Sequence, residues 1–342
     1  MTEVTDFHYE LPDDQIAQDP VEPRDSSRLL DSRDLSDHHF WELPGLIEPG
    51  DLLVINETRV RRARLFGEKE ETGGRVEVLL LGPLPGGGWR ALARPARRLR
   101  QGSRIRFGRM VGELLDNPVG GMVTLELWVD GDVESAIEEL GSMPLPPYIK
   151  KEISEPERYQ TVYSRTTGSA AAPTAGLHFT ERVIRELRER GVEIASVELK
   201  VGIDTFRPIS VPQIEHHSMH AEWCRVPEAT AHAVEACRER GGRVVAVGTT
   251  TVRTLESHAC EGGRVMAGEK ETRLFLKPGI PIRVVDLLVT NFHLPASTLL
   301  VLLETFMGPG WRQVYFAALE RGYRFLSFGD AMLCERKGSD GR

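Results

Sequence analysis

The chain has few cysteines, no long apolar run and no overall excess of basic residues. Its 342 residues include only four cysteines, which share no Cys-x-x-Cys spacing: Cys224, Cys237, Cys260 and Cys334. This usage excludes a small disulfide scaffold and predicts reduced thiols and a cytoplasmic location. No apolar run approaches the roughly 18 residues of a membrane span, and the acidic start does not resemble a signal peptide, so no membrane partner is expected.

The net charge excludes a uniformly basic protein, because Asp and Glu outnumber Lys and Arg by 51 to 43. The charge is nevertheless uneven. Between Arg59 and Arg109 there are fourteen Lys and Arg residues against four Glu, which gives this segment a charge of +10. The planar guanidinium of arginine suits both phosphates and base stacking. The segment therefore predicts contact with nucleic acid, with a solvated charged face as the alternative.

Sequence periodicity divides the chain into two parts. Short alternating segments separated by Gly and Pro turns predict a small β-barrel, and the alternating helices and strands of the remainder predict an α/β fold. The strands predicted in the α/β part are Asp51–Ile55, Val192–Leu199, Arg243–Val247, Val284–Val289 and Arg324–Leu333, and the helices are Glu181–Arg190, Glu228–Arg240 and Thr298–Met307. We therefore expect a discontinuous α/β domain, residues 1–58 and 144–342, with an inserted basic β-barrel domain, residues 59–143.

Polar loops are predicted at three places where a strand ends or a helix begins. They are Ala172–Thr180, Val247–Glu256 and Thr290–Pro295. Free backbone N–H groups and the helix dipole bind anions or polar ligands at such points, although N-capping by a single threonine would explain one such loop equally well. Loops at equivalent strand ends of an α/β sheet predict one common crevice.

The tightest group of titratable side chains lies at residues 216–222. His216 and His220 stand four residues apart, as zinc ligands on a helix do. The stretch lacks the His-Glu-x-x-His order, and no third ligand follows at a standard spacing. An acid/base or substrate-binding role is therefore favoured over a metal site, with ordinary histidines as the plain alternative.

Motifs spread over nearly the whole chain resemble those of one enzyme family. They include Tyr9–Pro12, Gly50–Val54, Met143–Ile149, Tyr159–Tyr163, Ala172–Phe179, Val247–Glu256, Thr290–Pro295 and Gly329–Met332. In this order they resemble the S-adenosylmethionine:tRNA ribosyltransferase-isomerases of the queuosine pathway. The resemblance implies an α/β domain with an inserted β-barrel, in agreement with the division made from periodicity and charge.

The resemblance also implies an activity. An enzyme of this family transfers the ribosyl moiety of S-adenosylmethionine to 7-aminomethyl-7-deazaguanine at the wobble position of tRNA and isomerises it, which forms epoxyqueuosine and releases adenine and methionine. S-adenosylmethionine is then a co-substrate, with no prosthetic group and no metal, and the RNA partner is a tRNA with a GUN anticodon that carries the deazaguanine amine. A monomer is expected. Lys200 and Asp204 depart from the His and Gly that the family commonly has, so no role is carried over to either.

The implied chemistry assigns candidate residues, because histidine is suited to proton transfer near neutral pH. The catalytic candidates are His178, His220, His293 and Glu222. The candidates for binding S-adenosylmethionine are Thr174, Gly176, Thr249, Thr250, Arg253, Glu256 and Asn291. The RNA-binding candidates are Arg59, Arg61, Arg64, Arg94, Arg97 and Arg98. The sequence does not decide which histidine is the general base and which is the acid.

Two alternatives from other functional classes stay open. The first is a metal-dependent RNA hydrolase that uses His216, His220 and Glu222, which stoichiometric bound zinc would indicate. The second is a non-catalytic RNA-binding protein whose α/β domain is only a scaffold. Failure to bind S-adenosylmethionine, with tRNA binding intact, would indicate the second.

Overall fold

The computed structural model describes residues 2–151, 153, 155–202 and 208–338, within which the chain forms two compact units. The first unit comprises Met1–Arg59, Pro147–Thr166 and Ala172–Arg342, and the second comprises Val60–Pro146 and Thr167–Ala171. A mixed sheet with helices forms the first unit, and a closed antiparallel barrel forms the second. The predicted fold class, a discontinuous α/β domain with an inserted small β-barrel, is confirmed.

Strands and helices alternate along the first unit, whereas the second consists mainly of strands. The strands are β1 (Arg28–Asp31), β2 (Asp37–His39), β3 (Leu52–Asn56), β4 (Thr58–Val60), β5 (Arg64–Lys69), β6 (Arg75–Pro83), β7 (Trp89–Arg94), β8 (Arg104–Phe107), β9 (Met110–Leu114), β10 (Met122–Trp128), β11 (Thr166–Ser169), β12 (Glu193–Leu199), β13 (Glu222–Val226), β14 (Val244–Val247), β15 (Gly268–Thr272), β16 (Leu287–Asn291) and β17 (Ala331–Glu335). The α-helices are α1 (Leu43–Leu46), α2 (Val133–Leu140), α3 (Glu181–Glu189), α4 (Glu228–Glu239), α5 (Thr249–Ser257), α6 (Thr298–Met307) and α7 (Trp311–Glu320).

The large sheet of the first unit has its parallel strands in the middle. Its order is β15-β13-β12-β3-β14-β16-β17-β1-β2, and β12, β3, β14 and β16 are parallel neighbours. All residues of β3, β14 and β16 are buried, as expected for strands covered on both faces. As the sequence predicts, β3 belongs to this sheet even though the barrel segment follows it in the chain.

Two helices begin at the capping residues that the sequence shows. The Thr180 hydroxyl accepts a hydrogen bond from the Val183 N–H at the start of α3, and the Ser297 hydroxyl accepts one from the Leu300 N–H at the start of α6. Each cap satisfies a backbone donor that has no partner within the helix. The predicted starts of both helices are confirmed.

The last predicted strand is shorter than expected. It runs over Ala331–Glu335 rather than from Arg324 to Leu333. The buried Asp330 carboxylate accepts the N–H of Arg324 and that of Arg28, which folds the preceding residues into turns. Helix α7 was not predicted, because it directly follows the turn-forming Gly308–Gly310.

The carboxylate of Glu256, on α5, organises the entry to β16. It is 8% exposed and accepts hydrogen bonds from the N–H groups of Arg283, Val284 and Val285 at 2.9, 2.9 and 3.1 Å. Those donors cannot pair in the ladder, so β16 begins at Leu287 rather than at the predicted Val284. This role is structural, in contrast to the contact with S-adenosylmethionine that the sequence analysis expected of Glu256.

The second unit is a barrel in the order β10-β7-β6-β5-β8-β9, and all its neighbouring strands are antiparallel. Its interior is filled by alternate apolar side chains, among them Leu65, Val78, Ala91, Ile105 and Leu125, all fully buried. Closure of the barrel removes the free edges that isolated strands would expose.

We predict that Glu256→Ala lowers the free energy of unfolding by about 2–4 kcal/mol, because it leaves two buried backbone N–H groups and one partly buried N–H group without an acceptor. Thermal and urea unfolding measure the change. Glu189→Ala, at an exposed helical position with one ion pair to Arg185, is the matched control and is expected to stay within about 0.5 kcal/mol of the wild type. Equal effects of the two substitutions would contradict the structural role of Glu256.

Candidate active site

Three polar loops of the first unit converge on one cavity, as the sequence predicts. The cavity lies beyond the carboxyl ends of β14 and β16, where ligands bind in open α/β sheets. Its lining comprises Tyr148, Ala172, Pro173, Thr174, Ala175, Val201, Gly248, Thr249, Thr250, Thr290, Asn291, Phe292, His293, Leu294, Ser297, Leu299, Leu326 and Ser327.

The N-terminus of α5 faces this cavity with Gly248, Thr249 and Thr250. Gly248 has a φ of +86°, a conformation that favours glycine, and no side chain caps the helix. The Thr250 hydroxyl accepts a hydrogen bond from the Asn56 side-chain amide at 3.3 Å, which fixes its orientation. An uncapped helix N-terminus beside two threonine hydroxyls suits an anionic group such as a carboxylate.

Asn291, in the loop Thr290–Pro295, connects this loop to the loop Ala172–Thr180. Its Oδ1 accepts a hydrogen bond from the Thr174 hydroxyl at 2.9 Å, and its Nδ2 lies 3.0 Å from His178 Nε2. His178 Nδ1 lies 2.7 Å from the Ser27 hydroxyl. Since the Asn291 amide donates to Nε2, the proton of the ring is on Nδ1 and donates to Ser27.

His178 therefore has both ring nitrogens engaged and does not line the cavity. Burial, together with the charges of Arg324 and Arg24, lowers the pKa of His178 to about 3, so the ring is neutral near pH 7. Its hydrogen bond to Asn291 holds that side chain in place. The ring does not line the cavity, where a catalytic histidine would contact the ligand.

His293 is the histidine that lines the cavity. Burial lowers its pKa to about 3, and its Nε2 lies 3.2 Å from the Thr290 hydroxyl. Two tyrosines hold its backbone: the Tyr315 hydroxyl accepts from the His293 N–H at 2.8 Å, and the Tyr9 hydroxyl donates to its carbonyl. A neutral imidazole is thus held against the cavity wall.

A buried charged cluster lies outside the cavity lining. The Glu222 carboxylate bonds the Arg253 guanidinium, lies 3.1 Å from His220 Nε2 and accepts the Gly202 N–H at 2.8 Å. Burial is the largest effect and raises the pKa of Glu222, but the hydrogen bond from His220 and the charge of Arg253 outweigh it and lower the pKa to about 2. The cluster adjoins the cavity through Val201, the neighbour of Gly202.

Two residues that were predicted to bind S-adenosylmethionine contact other parts of the protein instead. Arg253 bonds Glu222 and the Leu274 carbonyl and does not line the cavity. Gly176 also lies outside the lining, and a side chain there would collide with the Tyr163 hydroxyl, so glycine is required by packing. Asp204, the second departure from the family pattern, lies outside the described residues.

Several cavity residues are not recognisable as functional in the sequence. Tyr148 lines the cavity, and its hydroxyl is hydrogen-bonded to the Ser327 hydroxyl, 2.6 Å away. Tyr148 lies within the motif Met143–Ile149 and Ser327 lies near the motif Gly329–Met332, but neither side chain has a group that titrates near pH 7. Their placement depends on packing of distant segments.

The metal site considered from the sequence is not formed by the described part of the chain. No three His, Cys, Asp or Glu side chains there are grouped so that they could hold a metal ion. The ligand set that the hydrolase hypothesis needs, His216, His220 and Glu222, is therefore absent as a set. Among the helices of the same part, none has the length and apolar character needed to cross a membrane.

The arginines proposed for RNA binding fall into two groups. Arg59 pairs with Glu157, Arg64 pairs with Glu77, and Arg61 is 8% exposed with a two-pronged contact to Glu134. Arg61 is therefore not available to a phosphate, because its guanidinium is buried and its charge is balanced. Three others are exposed and form no ion pair within the described chain: Arg94, Arg97 and Arg98.

The charge of the barrel is also smaller than the basic segment suggested. Residues 60–146 contain thirteen Lys and Arg against twelve Asp and Glu, because many acids follow residue 109. Several of these acids pair with arginines of the basic segment, as Glu113 does with Arg104 and Glu139 with Arg109. The unpaired arginines, rather than the net charge, mark the basic face.

Comparison with known proteins gives consistent results over almost the whole chain. A protein of Moorella thermoacetica described as S-adenosylmethionine:tRNA ribosyltransferase-isomerase is 52% identical over 340 residues, covering 96% of this chain and 99% of that protein. One of the same description from Symbiobacterium thermophilum is 50% identical over 337 residues, with 96% and 99% covered. The crystal structure of S-adenosylmethionine tRNA ribosyltransferase from Thermotoga maritima is similar with a TM-score of 0.53 at 37% identity, covering 96% of this chain and 99% of that one.

The family model described as queuosine biosynthesis protein matches residues 4–334. This match includes all three cavity loops and the barrel. The chain belongs to the queuosine biosynthesis protein family.

Proposed function

We propose that this protein is an S-adenosylmethionine:tRNA ribosyltransferase-isomerase. It transfers the ribosyl moiety of S-adenosylmethionine to 7-aminomethyl-7-deazaguanine at the wobble position of a GUN-anticodon tRNA, forming epoxyqueuosine and releasing adenine and methionine. The observation that carries the proposal is identity of about half the residues with relatives of that description, over 96% of the chain. The proposal includes a cytoplasmic location and a monomeric enzyme.

The cavity of the first unit is the proposed site for S-adenosylmethionine. The methionine carboxylate lies at the N-terminus of α5, where Thr249 and Thr250 supply hydroxyls and the helix supplies backbone N–H groups. Thr174 and Asn291 bind the ribose hydroxyls, because the Thr174 hydroxyl and the Asn291 side-chain oxygen line the same wall and can each accept a further hydrogen bond. These groups are neutral and can hydrogen-bond the polar parts of S-adenosylmethionine, which carries a carboxylate, an ammonium and a sulfonium.

Proton transfer is the chemistry that the protein must supply. The sulfonium already acidifies the neighbouring ribose carbon, so a base must take that proton, an acid must assist the departure of adenine, and the attacking amine must be neutral. His293 is the proposed proton-transfer residue within the cavity. His178 is proposed as a positioning residue that acts through Asn291.

The charged cluster is the proposed second proton-transfer group. Arg253 holds Glu222 ionised, and Glu222 lies against His220, whose side chain is partly exposed. The carboxylate orients the His220 ring, which is the proposed proton-transfer group of this cluster. We assign Arg253 to stabilising Glu222 rather than to direct contact with the methionine carboxylate.

The proposed function is tested by incubating the protein with S-adenosylmethionine and tRNA that carries the deazaguanine amine, and by identifying epoxyqueuosine and free adenine by mass spectrometry. We expect both products, with turnover unchanged by a chelator, because the sulfonium provides the activation that a Lewis acid would otherwise give. RNA cleavage restored by zinc would instead indicate the hydrolase. Intact tRNA binding without binding of S-adenosylmethionine would indicate a non-catalytic protein.

We predict that His293→Ala lowers kcat by about 10²-fold or more, since positioned acid/base groups typically contribute 10² to 10⁴. Steady-state kinetics measure the loss, and thermal unfolding verifies that the variant is folded. His232→Ala, at an exposed position on α4, is the control and is expected to retain wild-type turnover. Near-normal turnover of the His293 variant would remove His293 from the proton-transfer scheme.

A further prediction concerns the acid stability of the fold. The pKa of His178 is about 3 in the folded state, against about 6.5 in an unfolded chain, so the unfolded chain binds the proton first. The stabilisation is present above pH 6.5 and is lost as the pH falls towards 3, by about 1.4 kcal/mol per pH unit. His178→Gln, a neutral replacement, is expected to reduce the dependence of unfolding free energy on pH between 6 and 4 by this amount.

Urea unfolding at several pH values measures that slope. His216→Gln is the control, because this exposed ring is solvated in both states. Equal slopes for the two variants would show that His178 is not held neutral by burial.

A further inference from the structure

Three residues on neighbouring strands of the barrel share one outward-facing row. Phe66 of β5 is paired in register with Glu77 of β6, and Glu77 is paired with Arg94 of β7. Residues directly opposite each other in antiparallel strands point to the same face of the sheet. Phe66 and Arg94 are therefore two strands apart on the same outer surface.

Phe66 is held outward by the alternation of its strand. Its neighbour Leu65 is fully buried in the barrel, and a side chain on Gly67 would collide with the buried Phe107 ring, so the residues on either side of Phe66 face inward. Phe66 itself is 62% exposed. No described aromatic ring or cation packs on its face, whereas Trp128, the other large exposed aromatic of the barrel, lies 5.8 Å beneath the Arg104 guanidinium.

The charges around Phe66 favour an anionic partner. The Arg64 guanidinium lies 3.2 Å from the Glu77 carboxylate and forms an ion pair that neutralises the acid in the row. Arg94 is exposed and makes no ion pair among the described residues, and the same holds for Arg97 and Arg98 in the following loop. The Lys69 amine, at the end of β5, donates to the Arg98 carbonyl at 3.0 Å, which holds this loop beside the strand of Phe66.

We propose that Phe66 is a stacking platform for an unpaired RNA base, and that Arg94, Arg97 and Arg98 contact the adjoining phosphates. An aromatic ring on the outer face of a sheet, beside unpaired guanidinium groups, has the chemistry that recognises single-stranded nucleic acid. A paired base offers no free face to such a ring, so the partner is a loop or end. The inference deepens the proposed function and rests on it, because it takes tRNA as the RNA.

The test measures the Kd for an unmodified GUN-anticodon tRNA transcript by filter binding at several salt concentrations. Phe66→Ala is expected to raise Kd roughly 5- to 150-fold, since stacking on one aromatic side chain is worth about that factor per base. The salt dependence should not change, because stacking releases no counterion. Replacing the three arginines together by glutamine should instead reduce the salt slope by roughly 0.7 per lost phosphate contact.

Two substitutions at the same position separate stacking from simple apolar contact. Phe66→Tyr is expected to bind tRNA like the wild type, and Phe66→Leu to bind as weakly as Phe66→Ala. Phe316→Ala is the matched control, because this phenylalanine on α7 is also 62% exposed. A fully paired RNA duplex should bind the wild type and the Phe66→Ala variant equally.

Other results would overturn the inference. Wild-type affinity of Phe66→Ala for tRNA would show that no base stacks there, and wild-type affinity of Phe66→Leu would indicate an apolar contact, as with a protein partner. If the wild-type protein itself did not bind tRNA, the acceptor in the proposed function would be wrong and the platform would fall with it. Phe66 is exposed, so unchanged thermal unfolding of all variants is expected and separates binding from folding.

Discussion

The need to satisfy buried polar groups at the carboxyl ends of the parallel strands is the constraint on which the rest of the first unit depends. Asn291 ends β16 in a buried position, and its amide and carbonyl groups bond His178, Leu326 and Thr174. An unsatisfied buried donor or acceptor costs about 1–3 kcal/mol. These hydrogen bonds join segments that are far apart in the chain, and they fix the loops Ala172–Thr180 and Thr290–Pro295 against each other at the cavity.

The same constraint distinguishes three histidines that a sequence motif cannot separate. His178 is buried with both nitrogens bonded, His293 is buried against the cavity, and His220 lies partly exposed beside a carboxylate. Burial disfavours the charged ring, so it lowers the pKa of His178 and of His293. One fold thus places two histidines in buried surroundings and a third beside a carboxylate.

In the barrel, the attraction of a polyanion depends more on which arginines are paired with acids than on the net charge. Most arginines of the basic segment are matched by acids from the same unit, as Arg61 is by Glu134. Paired guanidinium groups contribute little to attraction of a polyanion, so the exposed arginines that remain unpaired define the basic face. Barrel closure then decides which side chains share that face, because alternation along each strand places them inside or outside.

The sequence by itself determined the fold class, the central strands β3, β12 and β14, the capped helices α3 and α6, and the convergence of three loops on one cavity. These follow from local periodicity, from capping residues such as Thr180 and Ser297, and from the rule that parallel strands end at the same edge. Family motifs added the reaction. Each of these signals is local or is carried by motif order, so it can be seen without coordinates.

Only the tertiary structure decided what the individual polar residues do. Glu256 and Arg253 look like ligand-binding groups in sequence, but in the fold they bond backbone N–H groups and a buried carboxylate. Tyr148 lines the cavity although its side chain has no group that titrates near pH 7. The neighbours of Phe66 on the outer face of the barrel come from strands β6 and β7. The physical reason is that burial, hydrogen-bond partners and ion pairs come from residues distant in the chain, and these contacts determine whether a side chain is structural or free to bind.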